Sequence, residues 1–321
     1  MKFLEKLFIT ISILSSLVLV GLLFVVAWQK KQGVFEDFLV SAKEENSEQR
    51  FTEEIESDAT LGAAVLPIET ETETETTTAD PYPYYIRVNR TGNCVTIYTK
   101  DEEGEYTVPY KAMICSTGYE TPLGKFDSKG KYKMKGLIHD VYGQYATWIT
   151  GNILFHSVPS AQPTKDSVSV RNYNELGTIA SAGCVRLTVA DAKWIYDNCE
   201  LGTWIEIYDD AENPGPLGKP EAIKLPKGSK WDPTDPDPEN PWHEKEPTIE
   251  VTRDTELKVA KDIDLLDGVK AFDTCGNDIS DKIKVEGSIY PNIPGEYSIT
   301  YQVEDAIGKT AQTVVVYKIK E

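Results

Sequence analysis

Basic residues are in short supply. Thirty-three Lys and Arg stand against 52 Asp and Glu, a formal net charge of -19. They gather into no stripe, so the counterion-releasing surface that a nucleic-acid partner needs is missing and that function class is excluded. Histidine is scarcer still, with only His139, His156 and His243 to supply a general base near neutral pH. The five cysteines, Cys94, Cys115, Cys184, Cys199 and Cys275, are odd in number, so at least one thiol stays free. Nothing in the chain calls for a metal or a cofactor.

Charge is also absent from Leu7 to Trp28. At 1.5 Å per residue that run reaches roughly 30 Å, the depth of a bilayer core, and predicts a single transmembrane anchor over 7–28 behind a short cytoplasmic end, 1–6. A cleaved signal peptide is the rival reading, disfavoured because Trp28-Gln29-Lys30-Lys31 comes next, where small residues would mark a cleavage site. Lys2 and Lys6 before the run balance Lys30 and Lys31 after it, so charge alone leaves the topology open.

The next stretch is acidic. Residues 41–80 hold twelve acidic and two basic side chains and end in a Glu-Thr alternation, which predicts a self-repelling disordered spacer across 29–83. From 84 to 210 the composition turns globular. Alternation in Cys94-Val95-Thr96-Ile97-Tyr98 and again from Tyr106 to Cys115, around a turn with Gly104, predicts a hairpin. That pairing would set Cys94 nearly opposite Cys115, where a cross-strand disulfide and two reduced cysteines are both open. A second hairpin is expected where Tyr145–Ile149 meets Ile153–His156 about Gly151-Asn152. Thr188, with Asp191 three residues on and Ala192, Ile195, Tyr196 and Cys199 at helical spacing, predicts a capped helix.

Eight prolines crowd 211–246 and predict an extended linker, with Trp231 and Trp242 either covering apolar surface or touching glycan. Beyond it, 247–321 shows short alternating strands with a turn at Ile307-Gly308, as in a small β-sandwich. The expected architecture is mainly β: a catalytic β-sandwich with one short helix after Cys184, plus a second small sandwich. The first should fold and turn over without the second.

Chemistry concentrates in Ser181-Ala182-Gly183-Cys184-Val185-Arg186-Leu187. A cysteine behind a glycine and ahead of a capped helix suits a sharp turn where sulfur is accessible and backbone N–H groups can face an oxyanion. A thiol needs a base or cation nearby to become a thiolate. His156, at a strand end, is the better base; His139 reads as a loop residue, and His243 lies in the linker.

Taken with Thr121-Pro122-Leu123-Gly124, Tyr142-Gly143-Gln144-Tyr145 and Phe155-His156-Ser157, the Cys184 segment resembles the YkuD-type L,D-transpeptidase catalytic domain, over about 84–208. The resemblance implies a cysteine acyltransferase in which Cys184 attacks a peptidoglycan stem peptide and His156 is the base. It further implies support from Ser157, Gly183 and Arg186, and substrate contacts from Tyr142, Gln144 and Ser181. Donor and acceptor stems would be the partners, and the catalytic domain would face the cell wall from the membrane. An amine acceptor gives a 3-3 cross-link and water a carboxypeptidase. A sortase fits less well, since Cys184 and Arg186 are only two residues apart, and a non-catalytic wall-binding scaffold is the reading from another class. Ala182 stands where the family has histidine, Arg186 where it has asparagine, and the interval from His156 to Cys184 is long, so the insertion 163–175 is expected to reshape the pocket. The 247–321 segment resembles bacterial Ig-like repeats and is expected to be a spacer or a wall-contact module.

Overall fold

The computed structural model describes residues 80–260 and 262–321. The anchor expected over 7–28 and nearly all of the spacer, 29–79, lie outside the described residues. Among the described residues no helix is long and apolar enough to cross a membrane.

The first unit consists of strands β1 (Tyr84–Asn89), β2 (Cys94–Thr99), β3 (Val108–Ile114), β4 (Gly124–Asp127), β5 (Lys131–Leu137), β6 (Val141–Thr150), β7 (Ile153–Ser157), β8 (Val185–Leu187) and β9 (Trp204–Tyr208). Two helices interrupt them, α1 (Val170–Asn174) and α2 (Val189–Asn198). The strands form a five-stranded sheet in the order β3-β2-β1-β9-β4 and a four-stranded sheet in the order β5-β6-β7-β8. Alternation along β1 turns Ile86 and Val88 inward, where they meet Ile97 and Met113 of their own sheet and Phe155, Val185 and Leu187 of the other. Helix α2 closes this core with Ala192 and Ile195. It starts as the sequence requires, with the Thr188 hydroxyl accepting from the Asp191 N–H at 3.2 Å.

Two elements matter most for position. The β6–β7 hairpin turns at Gly151, whose φ of 47° suits the tight connection, and carries His156 to the end of β7. Strand β8 then lies parallel to β7, in a register that sets His156 opposite Arg186.

The cysteines are all free. Cys94 pairs across the ladder with Ile114, one residue short of Cys115, so the hairpin does not present the two sulfurs to each other as a cross-strand pair.

The Pro-rich segment forms no helix or strand, but it is not an extended tether. Ile223, Leu225 and Trp242 pack with Val158, Val168, Tyr173 and Leu176 of the first unit in a second apolar core. Asp232, Asp235 and Asn240 are buried within it. Composition suggests solvation, yet prolines between apolar and short polar residues allow a strap with its own turns. Trp242 therefore covers apolar surface, and Trp231 packs partly buried against the same cluster.

The last unit has β10 (Thr248–Val251), β11 (Glu256–Lys258), β12 (Val269–Phe272), β13 (Lys284–Glu286), β14 (Gly295–Glu304) and β15 (Thr310–Lys320). They form a two-stranded sheet, β10-β12, and a four-stranded sheet, β11-β15-β14-β13. Ile299, Tyr301 and Tyr317 are fully buried in its core. It meets the strap through Lys309, whose ammonium donates to the carbonyls of Trp242 and His243, each at 3.0 Å, and of Lys245.

Candidate active site

Cys184 sits on a loop pinned from both sides. Ser116 and Arg186 exchange backbone hydrogen bonds in both directions at 2.8 Å, tying the end of β3 to β8. Ala180 and Ser181 both donate their N–H to the Thr117 carbonyl at 3.0 Å. The Ser181 hydroxyl donates to the Cys184 carbonyl at 2.6 Å, and Arg186 Nη1 donates to the Ala180 carbonyl at 2.7 Å. Thr121, fully buried, accepts from the Gly118 N–H at 2.9 Å and donates to the Gly183 carbonyl at 2.6 Å. In a trans peptide the N–H opposes the carbonyl, so the Cys184 N–H points away from Thr121. A Cβ on Gly183 would lie 2.7 Å from Ile153 Cδ1, so a larger residue there would push that side-chain end aside.

The half-buried Cys184 sulfur lies 3.5 Å from the Asn152 carbonyl. His156 is 2 % exposed and stands over Gly143, where a Cβ would meet its Nδ1 at 2.8 Å. Its Nδ1 lies 2.6 Å from the Ser157 carbonyl. A carbonyl only accepts, so Nδ1 carries the proton and Nε2 is left as the basic nitrogen.

Both residues line one cavity of about 710 Å³, together with Ser181, Ala182, Gly183 and Arg186. Other walls come from the β5–β6 hairpin, including Leu137, Ile138, His139 and Trp148, from Asn152 and Ile153 at the β6–β7 turn, from Glu120, and from Asn172 of α1. His139 is a loop residue as expected, at the hairpin tip with φ 64°, but it faces the same cavity. Among the described residues no His, Cys, Asp or Glu cluster has the makings of a metal site.

Burial governs the protonation of the pair. It pushes the Cys184 thiol up, partly offset by the Leu154 N–H and the Arg186 charge. It pulls His156 down to about 4, against the Ser157 hydrogen bond and with help from Arg186. The resting pair is therefore thiol and neutral imidazole, not a preformed thiolate.

Two site residues, Tyr142 and Gln144, are placed differently from the sequence reading. They do not line the cavity, whereas Val141 of the same strand does and Gly143 lies under the His156 ring. Gln144 is 3 % exposed and donates through Nε2 to Asp235 Oδ2 at 2.9 Å. Ser157 holds the imidazole by its carbonyl; its hydroxyl instead accepts from the Gln144 N–H at 2.9 Å. Ser181 bonds the Cys184 carbonyl as well as lining the cavity. Sequence reasoning places Thr121 within a motif but gives it no role of its own, and it misses Asp232 and Asp235, whose partners are remote in the chain.

Residues 83–207 match the family model for the YkuD L,D-transpeptidase catalytic domain, and residues 247–315 match that for a bacterial surface protein Ig-like domain. The Bacillus subtilis (strain 168) protein YciB, which carries a provisional L,D-transpeptidase name, is 38% identical over 117 residues, 33% of this chain; the chain spans 58% of that relative's length. A Clostridium acetobutylicum protein described as a fused Zn-dependent amidase/peptidase/peptidoglycan-binding domain-containing protein is 29% identical, with a TM-score of 0.31, over 39% of this chain and 52% of its own. An L,D-transpeptidase from Mycobacterium smegmatis is 17% identical, with a TM-score of 0.32, over 39% of this chain and 58% of its own. The chain thus carries an L,D-transpeptidase-type domain followed by a bacterial Ig-like domain.

Proposed function

We propose that this protein is a peptidoglycan L,D-transpeptidase working through a Cys184 thioester. The observation that carries this reading is the placing of Cys184 and His156 on one cavity with Nδ1 of the imidazole committed to the Ser157 carbonyl. The base nitrogen is thereby fixed as Nε2.

Cys184 attacks the carbonyl of the third residue of a donor stem. Its proton passes to His156 Nε2 as the sulfur–carbon bond forms, since the resting thiol is neutral. The developing oxyanion meets the Cys184 N–H, held in direction by the Thr121 bond to the Gly183 carbonyl. As the carbon–nitrogen bond breaks, His156 returns the proton to the departing D-Ala amine. An acceptor amine then attacks the thioester, His156 takes its proton, and the thiol is restored. Water in place of the amine trims the stem.

Arg186 orders the 180–184 loop and holds a positive charge at the cavity, where a stem carboxylate can meet it. The uncharged run Leu7–Trp28 supports a single-pass membrane anchor, and a peptidoglycan substrate calls for the catalytic domain on the wall side of it. Intact-mass spectrometry with a carbapenem tests the acyl-enzyme. One drug molecule should add to the folded protein, map to the Cys184 peptide and vanish in Cys184→Ala. No adduct, or an adduct on another cysteine, overturns the reading.

A further inference from the structure

The catalytic-domain match ends at residue 207, yet the strap beyond it reaches back to both halves of the site. Asp235 is fully buried and its Oδ2 accepts from Gln144 Nε2 at 2.9 Å. Gln144 in turn donates its N–H to the Ser157 hydroxyl at 2.9 Å and adjoins Gly143, whose backbone is the floor under the His156 ring. On the other side, Asp232 accepts the Val189 N–H at 2.8 Å, at the start of the helix that comes after the Cys184 strand. The strap is itself ordered: Asn240 Nδ2 donates to the carbonyls of Asp232 and Asp235 at 2.9 and 2.8 Å, and Asp235 Oδ1 accepts from the Asp237 N–H at 3.0 Å.

We propose that the strap Trp231–His243 is a positioning element of the Cys184–His156 site, in which Asp235 acts through Gln144 and Ser157 to hold the imidazole. The proposal rests on the reading of His156 as the base. A buried carboxylate on a buried amide is costly unless the pair is formed, and once formed it fixes the register of β6 against β7. Those strands meet at Thr147 and Phe155, and register alone leaves the ring free to tilt; the Gln144 bonds to Ser157 and Asp235 remove that freedom. Charged groups that line the same cavity as the ring are Arg186 on β8, Lys135 and Glu120, and Cys184, His139 and Tyr132 line it too. Neither Asp235 nor Gln144 lines the cavity, so their effect on chemistry is indirect.

The test uses the full-length chain. Asp235→Ser keeps an acceptor for the Asp237 N–H but is too short to reach Gln144. Asp235→Asn keeps both contacts once the Gln144 amide turns round, its Oδ1 accepting from Asp237 and its amide donating to Gln144 Oε1. Acylation of Cys184 by a carbapenem, read by intact mass, should slow about 10- to 100-fold in Asp235→Ser and recover most of its rate in Asp235→Asn. The rate constant should fall more than the half-saturating drug concentration rises. Independently of turnover, an NMR titration of the three histidines should find His156 near 4 in the wild type and moved toward 6.5 in Asp235→Ser, as the loosened ring admits water. A folded Asp235→Ser protein with wild-type acylation and an unmoved titration overturns the proposal. If Asp235→Ser does not fold, Gln144→Met deletes the same contact from the strand side and carries the same two readings. A wild type that forms no adduct defeats the acyltransferase reading instead, and the titration still decides whether Asp235 holds the ring.

Discussion

The Thr121 hydroxyl is the joint between two chain reversals: it accepts from Gly118 and donates to the carbonyl of Gly183, the residue before the nucleophile. Thr121→Val removes the hydroxyl at almost constant volume and leaves one buried N–H and one carbonyl unpaired. A stability loss of about 1–3 kcal/mol is expected. The acylation rate should fall more steeply than stability suggests, because the Cys184 N–H is no longer aimed. Urea denaturation alongside acylation kinetics checks this, and a variant that loses stability but not rate would refute the aiming role.

Gly143→Ala puts a methyl 2.8 Å from His156 Nδ1. The backbone accepts alanine, so the ring must move. Overpacking of this kind costs about 1–3 kcal/mol. Acylation should drop at least about tenfold, in line with ångström-scale misplacement of a base, while Cys184 still alkylates with a simple thiol reagent.

A depressed His156 sets the pH dependence. Its folded value, about 4, lies below the ordinary 6.5, so between those limits the unfolded chain binds the extra proton. Stability is unaffected above 6.5 and is lost as pH falls toward 4, by about 3 kcal/mol in all. Asp232 works in the opposite sense, since burial raises it to about 6 and favours the native state as pH falls from there toward 3.8. Comparing wild type with His156→Gln by urea midpoints from pH 4 to 7 isolates the histidine contribution; parallel curves would refute it. The acid limb of acylation should likewise lie near 4.

Truncation after Asp210 exposes Val158, Val168, Tyr173 and Leu176, all buried against the strap. At about 1.5–3 kcal/mol for each large apolar side chain uncovered, several kcal/mol are lost. A chain ending at Glu246 retains the strap and should stay folded, whereas one ending at Asp210 should melt far lower or aggregate. Equal melting temperatures would overturn the assignment of the strap to the first unit's core.

Local patterns carried much of the fold and the nucleophile. The Thr188 cap, the Gly151-Asn152 hairpin and the β2–β3 hairpin are written in neighbouring residues, and the structure contains each of them. Parity was harder. Tyr142 and Gln144 share a motif with Gly143, yet in a strand adjacent residues face opposite ways, and of the three only Gly143 packs under His156. Cys94 and Cys115 differ from a facing pair by one ladder position, which turn composition does not set. The strap was illegible for a different reason: its partners Gln144 and Val189 lie 91 and 43 residues away, and prolines hide burial behind a composition typical of tethers.

The Lys309 ammonium, gripped by three carbonyls at the end of the strap, changes what the Ig-like domain can do. A domain on a loose tether raises the local concentration of whatever it holds but cannot aim it. Here the Ig-like domain is tied to the strap, and the strap, through Asp235 and Gln144, to β6, the neighbour of the strand that carries His156. A surface held by the Ig-like domain would reach the Cys184 domain through a chain of specific contacts, Lys309 to the strap and Asp235 to Gln144, and not through a free tether.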